Sequence, residues 1–179
     1  NDNKLENKIQ TITTKVYNYS ELSEDAKQKV LEKHYDINVS FQWWEYIYED
    51  AANIGLKLTY FDIGRASYCK GDFMWSAIEV YQNIVNSHGK DCETYKTAER
   101  FKEEWQPIFN NYLNEEHEDY ESRESEDKLN DLESDFLNEL LEDYLTILRQ
   151  EFEYQCSREA IEETISRNEY EFTEDGEMI

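Results

Sequence analysis

Apolar residues recur along this chain in two periods, and the switches between them mark out the expected elements. In KIQTITTKVY, residues 8–17, Ile12, Thr14 and Val16 alternate in a β-branched run, the period of a half-buried strand. SELSEDAKQKVLEKHY changes to helical spacing. Ala26, Val30, Leu31 and Tyr35 share a face, Ser23 is placed to cap, and Glu24 and Asp25 sit where the helix dipole favours anions. Residues 41–55 repeat the pattern through Trp44, Ile47, Tyr48, Ala51 and Ala52, with Gly55 placed to end the helix in a left-handed C-cap. LKLTYFDI follows as a strand, with Leu56, Leu58, Tyr60 and Asp62 on one face and Thr59, Phe61 and Ile63 on the other. Turn signals bracket GRASYCKGD, residues 64–72, and FMWSAIEVY, residues 73–81, predicts another strand.

From Asp91 onward the spacing is helical, through Tyr95, Ala98, Phe101, Trp105, Ile108, Phe109 and Tyr112. Pro107, lacking an N–H for the preceding turn, is expected to bend or interrupt the helix. Leu129, Leu132, Phe136, Leu140, Tyr144, Leu148 and Phe152 then step by three or four, and Leu137, Leu141 and Leu145 widen the stripe. Residues around 125 lack this stripe and offer Ser122 or Ser125 as caps, which predicts a helix break and an antiparallel helical hairpin. A short helix, SREAIEETISRN, leads to a terminal strand in which Tyr170 and Phe172 alternate with Glu169, Glu171 and Thr173, closed by a turn at Asp175 and Gly176. The expected fold is α+β: a single domain over 1–179, with a small antiparallel sheet of three or four strands covered by helices. A long acidic helical hairpin is inserted at about 91–155.

Charge changes this picture most. The net charge of −24 and pI near 4.3 argue against direct contact with nucleic acid or an anionic membrane, since both are met by Lys and Arg. A basic protein surface is the natural partner. Mean hydropathy of −0.95 points toward disorder, but fourteen Tyr, eight Phe and four Trp, with five Gly and one Pro, supply enough core material for a folded chain. Cys69, Cys92 and Cys156 show no CxxC spacing, so neither a disulfide framework nor a zinc site is expected, and a reducing intracellular location fits. There is no membrane-length apolar run and no signal-peptide pattern. The chain begins at Asn1, which suggests a trimmed start.

Between Glu115 and Asp143 stand fourteen carboxylates against one Arg, one Lys and one His. As one helix of 29 residues the segment would span about 43 Å, with one net charge per roughly 3.6 Å, close to the ~3.4 Å phosphate spacing along a DNA strand. The plainer reading is a solvated amphipathic face, for which Glu is a good helix former. That reading leaves unexplained the shortage of Lys partners at i,i+4. Glu115, Glu116, Glu118, Asp119, Glu121, Glu124, Glu126 and Asp127 are therefore the candidate partner-binding surface. Trp43 is the candidate aromatic anchor, on the alternative to its packing in the core.

No catalytic, cofactor or metal pattern emerges. His34, His88 and His117 lack HExxH and HxH spacing, and Asn114 stands where Glu-x-x-His would need its Glu. GxGxxG, the P-loop, GxSxG and the EF-hand spacing are absent. The chain is expected to be non-enzymatic and to need no cofactor.

Four segments together carry a resemblance: YNYSELSEDAKQKVLEKHY, WWEYIYEDAANIG followed by LTYFDI, the KGDF turn, and NEYEFTEDGEMI. Over roughly residues 11–85 and 157–177 the chain resembles small phage and prophage proteins often labelled as the antitoxin of a toxin–antitoxin stability system. The acidic middle is outside the resemblance, and CKGDFM stands where those proteins carry a longer glycine-bearing stretch resembling SQGDGA. The resemblance implies a phage or mobile-element protein acting in the cytoplasm of an infected or lysogenic bacterium. With the charge, it leads to the expectation of an inhibitor of a basic, nucleic-acid-binding host protein such as a CRISPR effector, a restriction enzyme or an RNA-cleaving toxin. The alternative is an accessory phage protein that self-associates through its helical hairpin.

Overall fold

The computed structural model describes residues 13, 15–114 and 120–179, with 114 and 120–122 described in backbone only. In chain order it contains β1 (Tyr17–Asn18), a 3-10 turn (Tyr19–Glu21), α1 (Glu24–Lys33), α2 (Glu45–Ile54), β2 (Leu56–Asp62) and β3 (Tyr68–Phe73). These are followed by α3 (Ala77–Ser87), α4 (Glu93–Asn114), α5 (Tyr120–Gln155), α6 (Arg158–Arg167) and β4 (Glu171–Phe172). The fold is mixed α/β: six α-helices and two separate two-stranded antiparallel sheets among the described residues, not one sheet of three or four strands. The chain forms two compact units, one from Asn1–Phe41 with Tyr154–Ile179 and one from Gln42–Glu153.

In the first unit β1 pairs with β4, Tyr17 opposite Phe172 and Asn18 opposite Glu171. Of the strand expected over 8–17, residues 8–12 and 14 lie outside the described residues. The core gathers Tyr19, Leu22, Ala26, Val30, Leu31, Ile161, Ile165 and Phe172. Both helices are capped as the sequence suggests for the first of them: Ser23 Oγ accepts from the Ala26 N–H at 3.2 Å, and Ser157 Oγ from the Ala160 N–H at 3.3 Å. The terminal strand is shorter than its alternation predicts because Glu169, at φ 51°, turns the chain left-handed just after α6. One buried polar residue, Asn38, donates to the Gln155 carbonyl at 3.1 Å and accepts from the Thr164 hydroxyl at 2.6 Å, so neither end of its amide is stranded.

In the second unit α2 starts at Glu45, later than the pattern from residue 41 suggests, and ends at Gly55 in the left-handed conformation, φ 93°. This hands the chain directly to β2. The register of β2 against β3 slips at Thr59, between the Leu58 and Tyr60 pairings. That extra residue inverts the alternation beyond it. Leu56, Leu58 and Phe61 face inward opposite Phe73, Gly71 and Cys69, while Tyr60 joins the outer face, correcting the expectation that it lies beside Leu56 and Leu58. Gly71 is needed where it stands, since a Cβ there would lie 2.5 Å from the Lys57 carbonyl oxygen and 3.1 Å from Leu141 Cδ2.

Two further expectations are corrected here. Residues 68–72, expected between turn signals, form strand β3 together with Phe73, and of the strand expected over 73–81 residues 77–81 are helix. The start of α3 is a capping box: the Ser76 N–H and hydroxyl donate to Glu79 Oε2 at 3.0 and 2.7 Å, so Ala77, Val80 and Ile84 are buried at helical spacing. Likewise α5 runs without a break through Ser125, which is buried, and α4 runs through Pro107. The stripe on α5 is as expected, with Leu129, Phe136, Leu140, Tyr144 and Leu148 buried. Phe136 stacks on Phe101 of α4 with ring centroids 4.2 Å apart, and Arg100 bonds Glu139 at 2.9 Å.

Candidate functional site

Helical geometry dictates what α5 shows to solvent. With Leu129, Phe136 and Leu140 turned inward, Asp127, Asp131, Asp135 and Glu142 fall on an outward row at spacings of four, four and seven, and all four are exposed. Glu124 and Glu126 are also exposed. Glu124 is held below the usual carboxylate range by Lys128, whose ammonium donates to it at 2.7 Å. Of the candidate surface, Glu124, Glu126 and Asp127 are thus placed on the exposed side of α5. Glu115, Glu116, Glu118 and Asp119 lie outside the described residues, and Glu121 is described in backbone only.

Trp43 is placed differently from an anchor. It is 8% exposed and packs against Trp44, Phe61 and Phe152 at centroid distances of 5.6, 5.7 and 5.6 Å. The exposed aromatics of this unit include Tyr60 and Tyr68, stacked 5.7 Å apart on the outer face of β2 and β3 with Lys70 Nζ 5.3 Å from the Tyr68 ring. Tyr60 reaches that face because of the Thr59 bulge, and Tyr68 through the regular alternation of β3. Tyr68 also lines a groove of about 410 Å³ with Cys69, Asn138, Leu141, Glu142 and Leu145, so an exposed aromatic adjoins the acidic row.

A second arrangement has no local signature. Asp50 (α2), His88 (after α3), Thr94 (α4) and Tyr144 (α5) form a polar chain. The Tyr144 hydroxyl donates to Asp50 Oδ2 at 2.7 Å, Asp50 Oδ1 lies 3.6 Å from His88 Nε2, and His88 Nδ1 is 2.7 Å from Thr94 Oγ1. His88 thereby joins the end of α3 to the start of α4. It opens on a cavity of about 440 Å³ lined also by Cys92, Glu93, Asp143, Thr146, Ile147 and Gln150.

The two aspartates here carry opposite pH signatures. His88, and then the Tyr144 hydroxyl, hold the Asp50 carboxyl below its usual value of 3.8. Asp50 therefore stabilises the fold above that value, and the contribution is lost as pH falls through the lowered one. Burial pushes Asp143 up, against the opposing hydrogen bond from Thr97, and its Oδ2 is buried without a partner among the described residues. Its penalty is absent below 3.8 and complete above the raised value. Asp143→Asn should accordingly raise the melting temperature at pH 7, by about 2–4 °C per kcal/mol regained in a chain of this size. The gain should shrink as pH falls toward 3.8, the reverse of the trend for Asp50→Asn. Calorimetric melts across pH 3–8 check both signs.

Among the described residues no helix is long and apolar enough to cross a membrane. No family model matches the chain, and neither a curated protein nor a solved structure matches it.

Proposed function

We propose that this protein docks on, and blocks, a host protein with a basic nucleic-acid-binding surface. The observation that carries the reading is the exposed row Asp127, Asp131, Asp135 and Glu142 on one side of α5, in a chain of net charge −24. In this reading α5, braced on α4 through Phe101–Phe136 and Arg100–Glu139, presents the acidic row. Complementary potential speeds the encounter, while Tyr60 and Tyr68, in place of Trp43, supply the apolar contacts that lengthen residence. The resemblance to phage and prophage proteins supports an anti-defence or antitoxin-like setting, and non-enzymatic action through occupancy accords with it.

The test is an affinity capture from a bacterial host, run in parallel with the wild type and with a variant carrying Asp127→Lys, Asp131→Lys, Asp135→Lys and Glu142→Lys. The expected result is a basic nucleic-acid-binding protein recovered by the wild type alone. Its affinity should fall at least tenfold between 50 and 200 mM salt, and nucleic acid should compete for it. A partner held equally by the variant and insensitive to salt would overturn the reading. Concentration-dependent self-association with the same insensitivity would point instead to an accessory role.

A further inference from the structure

Strand β3 has β2 on one side and an open edge on the other: among the described residues no third strand joins this sheet, and no backbone hydrogen bond from another segment reaches that edge. Which groups line the edge follows from the Met74 N–H, which donates to the Gly55 carbonyl at 2.8 Å just outside the Leu56–Phe73 pairing. That bond makes Leu56 and Phe73 a non-hydrogen-bonded pair. The N–H and C=O of Phe73, and by alternation those of Gly71 and Cys69, therefore point away from β2. The bulge sits in β2 and β3 contains no Pro, so neither of these devices blunts the open edge.

Alongside this edge runs α5. Gly71 lets the β3 backbone lie close on Leu141, and the groove of about 410 Å³ beside them has Tyr68 and Cys69 on one wall and Asn138, Glu142 and Leu145 on the other. A strand laid along β3 would turn every second side chain onto this floor, the geometry of peptide capture by strand addition. Leu141 and Leu145 suit apolar residues. Glu142 is exposed on the same floor, and no Lys or Arg lines the groove, Arg149 at its end being turned to the Ser67 hydroxyl at 2.7 Å. A cationic side chain is what the charge favours. A second copy of the chain is the wrong occupant, because pairing β3 with β3 about a two-fold axis would bring the Glu142 side of one α5 against that of the other, between chains of net charge −24.

We propose that this groove takes an extended segment of the basic partner, added antiparallel to β3 as a third strand. Alternate residues of the segment face the floor, apolar ones against Leu141 and Leu145 and a Lys or Arg against Glu142. The proposal rests on the docking reading for the partner's basic character and adds how part of that partner is held.

The probe is a heptapeptide with blocked ends, Thr-Val-Thr-Lys-Thr-Val-Thr, titrated into the full chain by calorimetry at low salt. One-to-one binding with a dissociation constant below about 1 mM is expected, and glutamate in place of the lysine should weaken it at least tenfold. Glu142→Gln, a change at an exposed position, should weaken the lysine peptide at least fivefold and leave a norleucine-centred peptide unchanged. In an antiparallel pair, the peptide residues bonded to Gly71 and Cys69 turn their side chains to the same face as those two. N-methylation of the valines and the lysine should therefore abolish binding, while N-methylation of the two inner threonines should not. At saturation the Gly71 and Cys69 amides should gain protection from hydrogen exchange. Binding indifferent to which set is methylated, or Gly71 and Cys69 amides left unprotected, would overturn the proposal. Capture of a basic host protein without peptide binding overturns it too and leaves the docking reading standing, whereas peptide binding without such a capture supports the groove alone.

Discussion

Phe136→Ala is expected to remove about 4 kcal/mol of stability, within the 3–5 kcal/mol typical of a buried Phe truncation. The ring is 2% exposed. It stacks on Phe101 at 4.2 Å with an interplanar angle of 6° and lies 5.6 Å from Phe73, so one side chain joins α5 to both α4 and β3. Truncation forfeits the transfer energy, leaves a void that neighbours on three elements can fill only in part, and ends two aromatic contacts worth about 0.5–1.5 kcal/mol each. Against a total of about 5–15 kcal/mol for a folded domain, that is a large fraction. Denaturant unfolding should show a much lower midpoint, with Phe136→Leu losing less than half as much. A loss below about 1 kcal/mol would mean that this ring does not hold the three elements together.

Gly55→Ala should follow closely, at about 3 kcal/mol, from two separable causes. At φ 93° an Ala suffers the left-handed backbone penalty, about 1 kcal/mol, and its Cβ would stand 2.3 Å from Trp75 Cε3, forcing the indole aside. Trp75 is 46% exposed, so the ring itself can be removed without opening the core. A double-mutant cycle separates the two causes. In a Trp75→Ala background the Gly55→Ala loss should fall to the backbone part alone, a coupling of at least about 1 kcal/mol. Additive losses would show that the indole does not seat on Gly55.

Local signals carried part of this architecture into the sequence. Ser23 as a cap, Gly55 as a stop and the stripe from Leu129 to Leu148 are each readable from a few neighbouring residues, because caps and amphipathic faces act over one or two turns. The misreading of 73–81 shows where such signals compete. Phe73, Trp75, Ile78, Val80 and Tyr81 favour a strand by type, but the Ser76–Glu79 capping box and the burial of Ala77, Val80 and Ile84 decide for α3. At Thr59 a single extra residue moved Tyr60 to the opposite face, which alternation cannot foresee. Ser125 is polar yet buried mid-helix, so its value as a cap was never used.

The candidate sites divide in the same way. Of the acidic row, Asp131, Asp135 and Glu142 emerge once the inward stripe of α5 is fixed, and only Asp127 was legible, through the composition of one segment. The cavity was not, since Asp50, His88, Thr94 and Asp143 come from separate stretches and meet only through the packing of α2, α3, α4 and α5. His88 read alone is a loop histidine. Its significance comes from Asp50, 3.6 Å from one ring nitrogen, and Thr94, 2.7 Å from the other.

The pairing of β1 with β4 has a bearing on how the chain is made. The Tyr19 hydroxyl donates to Glu162 across 143 positions, and Tyr17 finds Phe172 at a similar remove. During vectorial synthesis the stretch from Gln42 to Glu153 emerges whole after β1 and before β4, the later partner of that pairing, is available. The early-made strand must wait for residues 157–172, leaving the first unit the later of the two to assemble and dependent on synthesis proceeding past Phe172.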